Sequence, residues 1–351
     1  MQKKEESKEK NKYTIDETEF IKLYKLFYEL EFIGDDFYTK DGIKSFDEIA
    51  SEIHNVIKIF IRIRIDSVVS SILKSLYREC YKKDKIDKNT IHTLNNKIIV
   101  KKGIVKLQKK ETTSTRMNAE YLTEYQEPVK FLKFLRELLS EEDIIIFQEY
   151  LGYCFIPNTS AHKGLFIIGS CGDGKSEIIG KTIQNLFSET ITGGDLIGML
   201  DDRFGLGNVI NKLVNFDDEL SDGYLSDSNN FKKLISGGMV RSEKKYKDAQ
   251  LVEAFCRVIA LGNHMIRIRN SADINAIKRR VLILETIPHS KDRKVIVNLF
   301  DRHIKKELNQ IFMWGLEGLV RLQKNNWHFS FEEEMQDKVE EIFIENTLEQ
   351  N

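Results

Sequence analysis

The sequence has 351 residues, 41% of them hydrophobic and 31% charged, with a formal net charge of -1 at pH 7. That composition is ordinary for a soluble protein of one large or two smaller domains. It excludes a globally basic nucleic-acid binder, so any such contact must come from a local patch or an inner ring surface.

Residues 1–16 are expected to form a disordered charged tail, since the opening MQKKEESKEKNKY has no apolar core and is no secretory signal. Residues 17–127 are expected to be mainly helical. Phe20, Leu23, Leu26, Phe27 and Leu30 recur at helical spacing, as do Ile49, Ile53, Ile57 and Phe60. Near 97–107, KIIVKKGIVKL carries β-branched runs on both sides of Gly103, which predicts two short strands joined by a turn. A helical collar follows over 128–160, with Phe131, Phe134, Leu135, Leu138 and Leu139 on one face. From 161 to 289 short apolar runs alternate with helical patterns: LFIIG, EIIGKTIQNLF, KLVNF, NFKKLI, VIALGN and RRVLILE. The expected fold class is therefore α/β, a parallel sheet flanked by helices and preceded by a mainly helical domain. Residues 290–351 return to helix. Cys80, Cys154, Cys171 and Cys256 share no close spacing, which excludes a zinc ribbon or a disulfide framework. No apolar run approaches the roughly 20 residues that cross a bilayer, so no membrane partner is expected.

The strongest local signal is Gly169-Ser170-Cys171-Gly172-Asp173-Gly174-Lys175-Ser176, which fits G-x-x-x-x-G-K-[ST] in full between a strand-like and a helix-like run. Glycines let the backbone wrap phosphates with their N–H groups inward, and the following helix turns its N-terminus to the same anion. Lys175 is expected to reach the β- and γ-phosphates of ATP, and Ser176 to ligate Mg2+. The hydrolytic side needs acids at the end of a second strand. KLVNF runs into Asp217, Asp218 and Glu219; Asp218 is assigned to the Mg2+ shell and Glu219 to water activation, with Asp217 as the alternative to Asp218. VIALGN ends at Asn263, placed to sense the γ-phosphate or the attacking water unless it is only a turn. Lys278-Arg279-Arg280 precedes a further strand and offers an arginine finger, or merely a charged helix end. RSEKKYK supplies Arg241, Lys244, Lys245 and Lys247 around Tyr246, cations for phosphates and a ring for bases, with Lys233 more remote.

GLFIIGSCGDGKS, KLVNFDDELSDGYL, FKKLISGGMVRSEKKYKDA and VIALGNHMIRIRNSADINAIKRRVLIL, in that order, resemble the superfamily 3 helicases of the AAA+ class, specifically the poxvirus and phage helicase-primase group. VKFLKFLRELLSEEDIIIFQEYLGYCFIPNTSAHK is similar to that family's helical segment ahead of the ATPase, and the likeness covers about residues 95–325. It implies an AAA+-like core and a DNA helicase or translocase in replication of a phage, virus or mobile element, working in the cytoplasm of a bacterial host or infected cell. It also implies a homo-hexameric ring hydrolysing ATP between subunits on single-stranded or fork DNA. Lys245, with Lys244 and Lys247 beside it, would lie on a channel-lining hairpin. Asn263 would be the sensor, and Arg279 or Arg280 the finger acting in trans. Residues 1–95 show no acidic strand pair for primer synthesis, and little chain follows the core to build a winged helix. A separate primase or origin-binding protein is therefore an expected partner. The rival expectations are a DNA-stimulated loader that does not unwind, or a P-loop enzyme acting on proteins or small molecules.

Overall fold

The structure, a computed structural model, describes residues 15–34, 36–39, 42–61, 64–84, 86–202, 205–225, 228–242, 250–268, 273–288 and 296–348. The chain divides into two compact units, Met1–Lys85 and Ile86–Asn351.

The first unit runs α1 (Glu17–Tyr28), β1 (Glu31–Ile33), β2 (Asp36–Thr39), β3 (Gly42–Lys44), α2 (Phe46–Ile57) and α3 (Ile65–Cys80). Asp16 starts α1 by accepting from the N–H groups of Thr18 and Glu19. Ser45 starts α2 through a capping box with Glu48, which satisfies two otherwise orphan donors. Ile49, Ile53 and Ile57 on α2 meet Val69, Ile72 and Leu76 on α3 in one core. Two expectations need correction. The stretch read as mainly helical, with strands expected only near 97–107, also contains an antiparallel meander, β1-β2-β3, whose strands are only three or four residues long. The apolar stripe of α1 also does not all face the core: Ile21 and Tyr24 are buried, while Leu23, Leu26 and Phe27 are 55%, 75% and 64% exposed.

The second unit opens with β4 (Thr90–His92), β5 (Asn96–Lys101) and β6 (Ile104–Lys109), an antiparallel sheet in that order. The expected strand pair is thus the second half of a three-stranded sheet. Helices α4 (Val129–Arg136) and α5 (Glu141–Tyr153) lead to β7 (Gly164–Ile168) and α6 (Lys181–Phe187). After these come β8 (Ile191–Gly193), α7 (Leu196–Asp201), β9 (Val214–Asp217), β10 (Tyr224–Leu225), α8 (Ser228–Ser236), β11 (Met239–Ser242), β12 (Gln250–Glu253), β13 (Arg257–Gly262), β14 (Arg267–Ile268), α9 (Ile274–Lys278) and β15 (Val281–Glu285). Helices α10 (Leu308–Lys324) and α11 (Glu332–Leu348) end the described chain.

The main sheet has five strands in the order β15-β7-β13-β9-β8, every neighbouring pair parallel. Both faces are buried. Leu165 and Ile167 of β7 join one apolar layer with α4, α5, α6 and α10, while Phe166 and Ile168 join the opposite layer with α7, α8 and α11. This explains why LFII, VIAL and VLIL are continuous apolar runs and not alternating ones. Two helices distant in sequence, α5 and α10, come close enough for backbone contact: a Cβ at Gly318 would sit 2.3 Å from the carbonyl oxygen of Gln148. Beside that contact, buried Glu149 accepts from Arg321 at 2.6 Å and from Ser330, the pairing a buried carboxylate requires.

Candidate functional site

Strand β7 ends at Ile168 and the chain passes at once into Gly169–Ser176, then into a helix whose first turn, Ser176–Gly180, is π-wound before α6. Gly172 and Gly174 hold φ values of 78° and 100°, a backbone region that a side chain rarely tolerates. Both positions therefore favour glycine. It hangs from the C-terminal end of a strand flanked by β15 and β13, neither adjacent to it in sequence. Open parallel sheets bind ligands at such crossing points.

Lys175 folds back over its own loop. Its Nζ donates to the carbonyl oxygens of Gly169 and Ser170, both at 3.0 Å, to Asp173 Oδ2 at 3.2 Å and to Asn263 Oδ1 at 3.4 Å. Asp173 is buried and held further: Thr286 Oγ1 donates to its Oδ2 at 2.7 Å, and the Lys175 N–H to its Oδ1 at 2.9 Å. Thr286 lies just past β15, so a side-chain contact ties the loop to the neighbouring strand. The ammonium thus rests among oxygens that an incoming polyphosphate could replace.

Strand β9 delivers the acids. Asp217 is buried and faces inward, accepting from Leu196 N–H at 2.8 Å and Glu219 N–H at 3.2 Å. Burial pushes its carboxyl above the usual aspartate range, against the pull of those two donors. Its role is to brace the start of α7 and the turn after β9, and it does not line the cleft. Asp218 and Glu219 are exposed and do line it. The cleft, of about 970 Å³, brings residues 171–178, from the loop and the helix turn after it, together with Asp218, Glu219 and Asn263. Gly169 and Ser170 contribute carbonyl oxygens to Lys175 without forming its wall. Sequence reasoning did not find the Asp173–Thr286 pair, nor the contributions of Glu137, His264 and Leu299 to the wall.

The residues present fit a magnesium nucleotide. Ser176 is exposed at the helix entrance, and Asp218 stands on the same cleft. Among the described residues no group of three or more His, Cys, Asp or Glu could hold a metal ion, so a cation here would draw part of its oxygen shell from phosphate and water. Burial pushes the Cys80 and Cys256 thiols up to about 11 and about 12, which leaves neither as a nucleophile near neutral pH.

Arg279 and Arg280 lie elsewhere. The carbonyl oxygen of Arg280 accepts from the N–H of Gly164 at 2.8 Å, at the beginning of β7 and so at the opposite edge of the sheet from the loop. Arg280 is partly buried, with Nη1 donating to Ala276 O at 2.6 Å, whereas Arg279 is exposed. Lys278 is buried and paired with Glu340. Lys244, Lys245, Tyr246 and Lys247 lie outside the described residues. The strands that bracket them, β11 and β12, pair antiparallel with Ser242 opposite Gln250.

Residues 167–280 match the model of a family of unknown function, DUF5906. No curated protein matches the chain. Among solved structures the chain is similar to the apo C-terminal region of NrS-1, at 14% identity and a TM-score of 0.58, over 94% of this chain and 76% of that one. Another apo form of the same region, the A form, gives 13% identity and a TM-score of 0.56 over 91% and 74%. At such identities the likeness is one of fold. Among the described residues no helix is long and apolar enough to cross a membrane.

Proposed function

We propose that this chain is an ATP-driven DNA motor of the superfamily 3 helicase kind, acting in replication of a phage, virus or mobile element. The observation that carries the reading is the convergence, on one cleft at the C-terminal edge of a parallel sheet, of residues 171–178, Asp218, Glu219 and Asn263. Lys175 exchanges its loop carbonyls and Asp173 for the β- and γ-phosphates. Ser176 and Asp218 would hold Mg2+, which neutralises the charge developing on the phosphate oxygens. Glu219 takes a proton from water as its oxygen attacks the γ-phosphorus; the bond from γ-phosphorus to the bridging oxygen breaks, and ADP leaves with that electron pair.

The placement of Arg279 supports a shared site. Strand β7 spans five residues, so at about 3.3 Å per residue the two edges stand roughly 15 Å apart. An arginine at the far edge reaches a nucleotide only across a subunit interface. Exposure favours Arg279 over Arg280 for that role. Lys245, on the segment between β11 and β12, would engage single-stranded DNA in the ring.

The test is ATP hydrolysis with and without single-stranded DNA. Wild type is expected to be stimulated by DNA. Lys245→Ala should keep basal turnover and lose the stimulation, and Lys175→Ala should lose both. Turnover indifferent to DNA would overturn the motor reading.

A further inference from the structure

Sheet β4-β5-β6 takes no part in the cleft, and its charge is one-sided. Between Asn96 and Lys110 the chain holds Lys97, Lys101, Lys102, Lys106, Lys109 and Lys110 and no acid, in a protein whose net charge is -1. Lys97 is paired with Glu111 at 2.9 Å. The other five are exposed, and among the described residues none forms an ion pair or a side-chain hydrogen bond. Strand β6 forms one edge of the sheet.

Lysines on an edge strand can serve only to discourage strand-to-strand aggregation. The turn between β5 and β6 requires more than that. Lys102 and Gly103, its central residues, have φ values of 52° and 72°, the two left-handed positions of a type I′ turn. Asn, Asp or Gly is favoured there, and a lysine is held against its local preference. The turn is also clamped. Gln323, near the end of α10, donates from Nε2 to Val100 O at 3.0 Å and accepts the Gly103 N–H at 3.0 Å. The stem of Lys324 lies over Gly103, where a Cβ would meet its Cγ at 2.6 Å. Lys324 is itself exposed and without an ion pair among the described residues, so a sixth cation joins the tip.

We propose that this tip and edge grip the phosphate backbone of duplex DNA without reading its sequence. The proposal rests on the DNA-motor reading and adds a second contact, distinct from the segment carrying Lys245. Charge complementarity selects a polyanion, and lysine contacts phosphate as a point charge. Strands β5 and β6 contain no aromatic residue; the large apolar side chains they expose are Ile104 and Leu107. Single strands are held in good part by stacking on aromatic rings, so the surface suits duplex. Six residues of β6 at about 3.4 Å each cover roughly 20 Å, a length of duplex along which each strand places a phosphate about every 3.4 Å of helix axis.

The experiment uses the full chain and fluorescence anisotropy with labelled blunt duplexes of unrelated sequence and a labelled oligo-dT strand, across a salt series. Lys102→Ala/Lys106→Ala/Lys109→Ala is expected to weaken binding to every duplex about tenfold or more, with the salt slope shallower by about 0.9 for each phosphate no longer neutralised. ATP turnover without DNA should be unchanged, and the same three lysines replaced by arginine should restore duplex binding. Wild-type affinity and slope in the alanine variant, failure of the arginine variant to restore binding, loss confined to oligo-dT, or absence of duplex binding by wild type would each overturn the proposal. Failure of the motor reading shows separately, as ATP turnover indifferent to DNA.

Discussion

At the C-terminal edge of the five-stranded sheet the strands release their chains into an open cleft of about 970 Å³. At the N-terminal edge the same strands are sealed. Tyr150 of α5 donates to Val258 O at 2.7 Å and to Lys163 O at 3.2 Å, and the Arg257 guanidinium stacks over Tyr153 with its carbon 4.3 Å from the ring centroid. The first edge leaves Asp218 and Glu219 exposed on the cleft, whereas the second buries Lys163, Arg257 and Lys278 beside an exposed Arg279. The contrast teaches that chemistry in this molecule follows the direction of the strands. On the proposed reading, an arginine at the sealed edge would serve a neighbour's cleft.

The sharpest way to break that comparison is Arg279→Ala. On the shared-site reading, ATP turnover falls by about a thousandfold or more. Mixing this variant with Lys175→Ala should then recover part of the activity, because some interfaces combine an intact loop with an intact finger. No recovery on mixing, in a preparation shown to exchange subunits, would place the arginine in its own chain's site.

Next in size is the division of labour among the three acids. Glu219→Gln should lower ATP turnover by about a hundredfold or more while nucleotide still binds. Asp217→Asn should act on the fold, costing about 1–3 kcal/mol of stability through its two buried backbone partners. Denaturant titration of both variants beside turnover reads the difference. Equal stability with lost turnover in Asp217→Asn would make Asp217 a catalytic acid.

The smallest effect is a pH dependence. Burial raises the Asp217 carboxyl above its ordinary range. A folded value above the unfolded one gives stability that is fully present below the unfolded value and is lost as pH rises through the folded one. The stability of wild type relative to Asp217→Asn is therefore expected to decline as pH rises above the ordinary aspartate range. Denaturation midpoints at several pH values check this, and a relative stability that grows instead would mean that the two N–H donors outweigh burial.

What could be read beforehand is what chemistry or periodicity confines to a short stretch. The segment at 169–176 stands out because its motif confines glycines and a lysine to fixed spacing, and the parallel strands show as apolar runs because both faces are buried. The Asp173–Thr286 pair spans 113 positions, and no local signal links its members. Asp217 and Asp218 are chemically alike in sequence, and only the inward turn of one separates them. Strands β1 to β3 are too short for alternation to register, and α1 carries apolar residues on more than one side, so periodicity alone misplaced its buried face.

Strand β7 has a hydrogen-bonded partner on each side and an apolar layer above and below. Its amides therefore have no route to solvent short of global opening, which places them among the last in the chain to exchange their hydrogens. The glycine-rich loop at 169–176 hangs from this strand. Whatever moves when a ligand enters must be the loop and the cleft walls, and protection gained on binding belongs to residues 169–180 and not to the sheet that carries them.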